Sequence, residues 1–179
     1  MRMDGLSFGP VVNWEGKRTA GDVGADLPKV GFTIEPGVFV AFQPSEGFRI
    51  RTEVRKGLGG HKGWIAMTSA DVIVRDGDEW LFSIGPRVTW SDNRYHDAWW
   101  GVTPADALAS GLPAYDPDGG IHAYGATASV LKQLGPRWGI ATYAKYDRLT
   151  GDAAGSPIVR QLGSRNQFMG GLALTYILD

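Results

Sequence analysis

The sequence contains no cysteine, which excludes a disulfide framework and thiolate metal sites and leaves the redox compartment unmarked. No apolar run approaches the roughly 18 residues of a membrane-crossing helix; the best is Val38 to Phe42. Any passage through a bilayer must therefore be made by strands. The opening Met-Arg-Met-Asp-Gly lacks the apolar stretch of a secretory signal. An excess of one charge is missing too: 18 basic residues stand against 19 acidic ones, a net of −1. Without a basic stripe there is no electrostatic case for a nucleic-acid partner. What the chain has in abundance is glycine, 26 in 179 residues, about twice the usual share of roughly 7%. With 7 Trp, 6 Tyr and 7 Phe alongside, the composition is that of a β-rich protein, and the length allows one domain over 1–179.

Eight segments alternate in character between Gly, Pro, Asp and Asn clusters: 5–14, 30–42, 47–56, 63–75, 79–91, 121–133, 137–149 and 166–178. In the second, Val30, Phe32, Ile34, Pro36, Val38, Val40 and Phe42 share a face. The fifth places Trp80, Phe82, Ile84, Pro86, Val88 and Trp90 together, and the last does so with Phe168, Gly170, Leu172, Leu174, Tyr176 and Leu178. The third sets Phe48, Ile50, Thr52 and Val54 against Arg49, Arg51, Glu53 and Arg55. Across the strand centres the apolar face carries no charge, whereas Glu35, Arg49, Arg51, Glu53, Arg55, Asp71, Arg87, Lys145 and Asp147 occupy the other.

Period alone does not say which face points inward, because a soluble barrel or sandwich buries its apolar face and an outer-membrane barrel turns it to lipid. Three features favour the second arrangement. Strands of about 10 to 13 residues exceed the soluble mode and match a tilted bilayer crossing. Trp14, Trp64, Trp80, Trp90, Trp138, Tyr146 and Tyr176 fall near the ends of apolar faces, as two interfacial girdles require. Connections also alternate: 43–46, 76–78 and 134–136 are short, whereas 15–29, 92–120 and 150–165 are long and 57–62 is intermediate. That is the sorting of periplasmic turns and outer loops. The fold class expected is an all-β, antiparallel up-and-down barrel of the outer-membrane type with about eight strands. Pro10, Pro36 and Pro86 lie inside strands and call for bulges or bends.

In the long segment 92–120, Thr103, Pro104 and Asp106 read as an N-cap, a first-position proline and an acidic first turn, with Gly111 as the stop. One short helix over about 104–110 is expected there, in a cap packed by Trp99, Trp100 and Tyr115. Asp116-Pro-Asp-Gly-Gly lacks the later ligands of a calcium loop and reads as a turn. Leu58 to Gly63 reads as a hairpin loop. His61, His96 and His122 share no metal-ligand spacing, so neither a metal nor a cofactor is expected. A rim hydrolase built from His96, Asp97, His122 and Ser110 has no nucleophile-elbow context to support it. Arg49, Arg51, Arg55 and Arg87 with Glu35 and Glu53 read as a salt-bridged lumen network, the sharper alternative being an anion-attracting pore lining.

Tyr95, then Trp99-Trp100-Gly101-Val102, then Ser110-Gly111-Leu112-Pro113 to Tyr115, followed by Arg148-Leu149, Gly151-Asp152 and Ser156-Pro157-Ile158-Val159, resemble the MipA/OmpV family of MltA-interacting outer-membrane proteins. Tyr-Phe usually precedes the Gly-Val in that family, and Trp-Trp stands here. The resemblance places this chain on the C-terminal two-thirds of a typical member, without the signal peptide and N-terminal strands. It leaves open whether eight strands close on themselves.

What the resemblance implies is a non-enzymatic barrel in the bacterial outer membrane, in contact with its lipid. Its proposed role is a scaffold in murein remodelling that joins a lytic transglycosylase to a penicillin-binding murein synthase. The alternative is a narrow channel or a ligand-binding or adhesin barrel. The motif loop residues Tyr95, Trp99, Trp100, Gly101, Val102, Ser110, Gly111, Leu112, Pro113, Tyr115, Ser156 and Pro157 are then the interaction candidates, although the strand order places those loops on the outer side.

Overall fold

The computed structural model describes residues 2–3, 5–77 and 79–176. Alternating sequence punctuated by turn residues dictates a meander of strands. These are β1 (Arg2–Met3), β2 (Leu6–Glu15), β3 (Thr33–Ser45), β4 (Phe48–Lys56), β5 (Leu58–Gly59), β6 (Trp64–Asp76), β7 (Trp80–Ser91), β8 (Gly120–Gln133), β9 (Trp138–Leu149) and β10 (Asn166–Tyr176). They hydrogen-bond in the order β1-β2-β3-β4-β6-β7-β8-β9-β10, with β5 folded onto β3. All pairings are antiparallel, and the sheet curls into a half-barrel. Among the described residues no ladder joins β10 back to β2, so the sheet keeps two edges.

All eight expected strands are present. The second starts later than expected: Val30 is buried in an isolated bridge with Arg18, its N–H and C=O bonded to that residue at 2.9 and 3.0 Å, and β3 begins only at Thr33. Leu178, assigned to an apolar face, lies outside the described residues. The prolines are not bulged. Register irregularities fall at Phe42/Ser45 and Thr89/Trp90, and Pro36 and Pro86 instead adjoin glycines at points of close backbone approach. A Cβ on Gly37 would lie 2.1 Å from the Val54 carbonyl oxygen, and one on Gly85 1.7 Å from that of Ala70. Only glycine lets the strands approach there.

Among the described residues the concave side of the sheet is lined mainly by polar side chains. Buried there are Thr33, Glu35, Ala41, Glu53, Ile65, Ser69, Asp71, Ser83, Thr89, Ser91 and Ala123, most of them polar. The large apolar side chains stand exposed on the convex side: Phe8, Val38, Val40, Ile50, Val54, Val72, Ile84, Val88, Leu172 and Leu174. Trp14, Trp64 and Trp90 ring the end where the long loops emerge, and Trp138 and Tyr176, 4.7 Å apart, mark the end with the short turns. The apolar face therefore points out.

The expected helix is α3 (Pro104–Ser110). The Thr103 hydroxyl accepts the Asp106 N–H at 3.2 Å and donates to the Asp106 carboxylate at 2.6 Å, and Gly111 stops the helix at φ 74°. One helix is too few, however. The loops also carry α1 (Ala20–Val23), α2 (Asn93–Trp100), α4 (Gly151–Gly155) and a π-helical turn at Ile158–Leu162. Apart from α2, these are of one turn or so and held by neighbouring loops, too short for a period to register.

Candidate functional site

The alternation of β4 aims Arg49, Arg51, Glu53 and Arg55 into the concavity, and the neighbouring strands supply their partners. Glu35, 1% exposed, accepts from Asn13 Nδ2 at 2.9 Å, Arg55 Nε at 2.9 Å and His61 Nε2 at 3.1 Å. Glu53 binds Arg51 at 3.0 Å and also pairs with Arg55. Asp71, equally buried, pairs with Arg49 at 3.1 Å and Arg87 at 2.7 Å. The Arg51 guanidinium also lies 3.7 Å from the centre of the Phe39 ring. The six lumen charges expected from sequence thus fall into two paired groups, Glu35, Arg51, Glu53 and Arg55 with Asn13 and His61, and Arg49 and Arg87 on Asp71.

His61 was expected in a plain hairpin loop, and the structure corrects this. The ring is 3% exposed and folds over Gly57, whose Cβ would meet it at 2.2 Å. Nδ1 accepts the Gly63 N–H at 3.0 Å, so Nε2 carries the ring proton and donates to Glu35. The Glu15 carboxylate lies 3.3 Å from the same nitrogen. Glu15, Glu35 and His61 bring ligand-type atoms within 4.8 Å of one another, a grouping able to hold a metal by distance alone. With Nε2 donating and the Arg55 guanidinium on Glu35, however, the trio is wired as a hydrogen-bond node.

Helix α2 caps this node. Its N-terminus is held by Asp92, which accepts the Tyr95 N–H at 3.1 Å. The i, i+4 pairs Tyr95/Trp99 and His96/Trp100 place one face over the barrel mouth. The Tyr95 hydroxyl donates to Glu15 at 2.8 Å, and its ring contacts His61 edge-on at 4.7 Å and stacks on His122 at 5.4 Å. Burial, and then the nearby Glu15 charge, hold the Tyr95 phenol well above its ordinary pKa. His122 bonds Ser91 at 2.8 Å, while the Ser110 hydroxyl donates to the Asp106 carbonyl at 2.6 Å. The Ser-His-Asp set weighed from sequence is not brought together.

Above α2, the loops form the main apolar core among the described residues. Ile65, Tyr95, Trp100, Ala153 and Val159 make one cluster, and Leu27, Val102, Leu112 and Ile158 another. Val102 and Tyr115 exchange two backbone bonds of 2.8 Å; the buried Ser156 hydroxyl donates to the Trp100 carbonyl at 2.7 Å, and the Tyr115 hydroxyl to that of Asp152 at 2.9 Å.

These clustered residues are largely the blocks that carried the family resemblance, and the sequence profile described as "MltA-interacting protein MipA" matches residues 1–178. The chain belongs to the MipA family. No curated protein and no solved structure matches it. In this MipA-family chain, Trp100, Val102, Leu112, Ser156 and Pro157 are buried, Trp99, Gly101, Ser110 and Tyr115 are half-buried, and only Gly111 and Pro113 are exposed turn residues. The motif thus builds the cap's interior more than its surface.

His96 supplies a test of that cap. It is 1% exposed and packs edge-on against Trp100 at 4.8 Å. Burial lowers its pKa against the opposing pull of Asp152 and Asp92. A folded ring that holds its proton less tightly than the unfolded one contributes stability that is fully present above about pH 6.5 and is lost as pH falls below it. Limited proteolysis of the 92–120 segment is expected to accelerate between about pH 7.5 and pH 5. His96→Phe should reduce that acceleration.

Proposed function

We propose that this MipA-family chain is a non-enzymatic outer-membrane barrel that scaffolds murein remodelling, holding a lytic transglycosylase of the MltA kind, with a penicillin-binding synthase as second partner. The observation that carries the membrane reading is the inverted partition, with charged and small polar residues buried inside and Phe8, Val38, Val40, Val72 and Leu172 exposed outside. An apolar convex face of this extent is uneconomic in water and suits lipid. The family's own description supports the transglycosylase.

Murein lies on the side of the short turns in this topology. There, between the β6–β7 and β8–β9 hairpins, a groove of about 880 Å³ is lined by Trp80, Leu81, Leu131 and Leu134. This groove is the contact we assign to the transglycosylase, and the cap closes the opposite end. Purified transglycosylase should be retained on the immobilised chain in detergent. Leu134→Asp, at a residue 57% exposed, should cut retention at least tenfold, and Leu108→Asp, on the cap and 91% exposed, should leave it unchanged. A folded barrel that retains no transglycosylase would remove the scaffold reading.

A further inference from the structure

The cap holds a cavity of about 820 Å³, between the loop after β2 and the segment running from α2 to Asp116, that neither the lumen network nor the short-turn groove uses. Its volume is that of small-molecule sites, roughly 300–1,000 Å³. Arg18 lines it, and that side chain is unusual. It is only 8% exposed, yet no carboxylate among the described residues pairs with it. The guanidinium donates to the Trp99 carbonyl and, at 3.4 Å, to that of Pro28, and its Nε has no partner. Asp106, the acid whose field reaches it, is already engaged by the Thr103 N–H and hydroxyl. A buried cation with an orphaned donor costs free energy unless an anion joins it.

The same cavity is lined by Lys29, Asp97 and Asp116, all exposed. Burial, followed by the charges of Asp116, Asp92 and Asp118, pushes the Asp97 carboxyl above its ordinary range. That crowding is relieved by a cation. The two halves of the lining therefore ask for opposite charges. A simple anion drawn to Arg18 meets three carboxylates, those of Asp97, Asp116 and the already engaged Asp106, and a simple cation drawn to those carboxylates meets a buried guanidinium.

We propose that this cavity binds a small zwitterion of the amino-acid or short-peptide type, its carboxylate at Arg18 and Lys29 and its ammonium at Asp97 and Asp116. The site is independent of the scaffold reading, since it lies at the opposite end of the barrel from the groove assigned to the transglycosylase.

Titration calorimetry of the full chain in detergent, with dialanine, N-acetyl-dialanine and dialanine amide as probes, tests it. Dialanine should bind at least tenfold more tightly than either singly charged analogue. The double variant Asp97→Asn/Asp116→Asn removes only exposed carboxylates; it should weaken dialanine at least tenfold and leave N-acetyl-dialanine unchanged or tighter. Lys29→Ala should weaken dialanine and N-acetyl-dialanine together. Heat-modifiable mobility verifies that each variant is folded. Equal affinity for the three probes, absence of saturable dialanine binding at millimolar concentration, or indifference of a folded double variant would each overturn the proposal.

Discussion

Glu35→Ala is expected to destabilise the folded barrel by about 3–5 kcal/mol, the cost of breaking a buried charge pair by removing one partner. Glu35 is the acceptor on which three donors from three parts of the chain converge: Asn13 on β2, Arg55 on β4 and His61 in the loop after β5. Without it, Arg55 keeps only Glu53, and the His61 Nε2 proton is left with the more distant Glu15 carboxylate, in a place where water does not substitute freely. Urea titration in detergent micelles, followed by tryptophan fluorescence, measures the loss. Glu35→Gln, which keeps an acceptor oxygen and removes the charge, should recover part of it. Loss of Glu35 also loosens the mouth locally, because Tyr95 reaches the same node through Glu15. Proteolysis at α2 should therefore rise at temperatures where the strands are still folded. A variant as stable as the parent would mean that the lumen charges are solvated singly and that the network has no structural role.

The strands and the contents of the concavity were legible because a period of two is written directly into residue order. Phe48 to Arg55 states both faces of β4 without reference to any other segment. The α3 cap was legible for a similar reason, since Thr103, Pro104, Asp106 and Gly111 act on one another across a few bonds. Partnership across the barrel was not. Nothing near His61 in sequence indicates that its ring meets Glu35 and Glu15, because the loop following β5 reaches them only once β2 and β3 are paired. Helix α2 is marked in the sequence by the Tyr95/Trp99 and His96/Trp100 spacings, which describe a helix face, but two turns in a loop compete poorly with a strand-rich context. The Arg18–Val30 bridge, which delays β3, joins residues on either side of α1 and follows from loop packing alone.

Which way the apolar face is used has the most direct test in a depth series on β3. Val40 lies near the middle of that strand, opposite Phe8 on β2 and Thr52 on β4, and is 52% exposed on the convex side; Ile34 points the same way near the loop end, paired with Trp14. If the convex face meets hydrocarbon, an arginine at Val40 must be placed at the bilayer midplane, at a cost of about 2–4 kcal/mol, while one at Ile34 snorkels to the interface for about 0–1 kcal/mol. If the same face meets water, both positions are ordinary surface sites, and both substitutions stay within roughly ±0.5 kcal/mol. Urea titration of Val40→Arg and Ile34→Arg in phospholipid vesicles separates the cases by the difference between the two variants, so that errors in the absolute extrapolation cancel. We expect a difference of about 2 kcal/mol or more, with Ile34→Arg near the parent. Equal and small effects would mean that the convex residues are covered by protein or tolerated in water. The membrane reading would then fail, even though the paired network inside the barrel would stand unchanged.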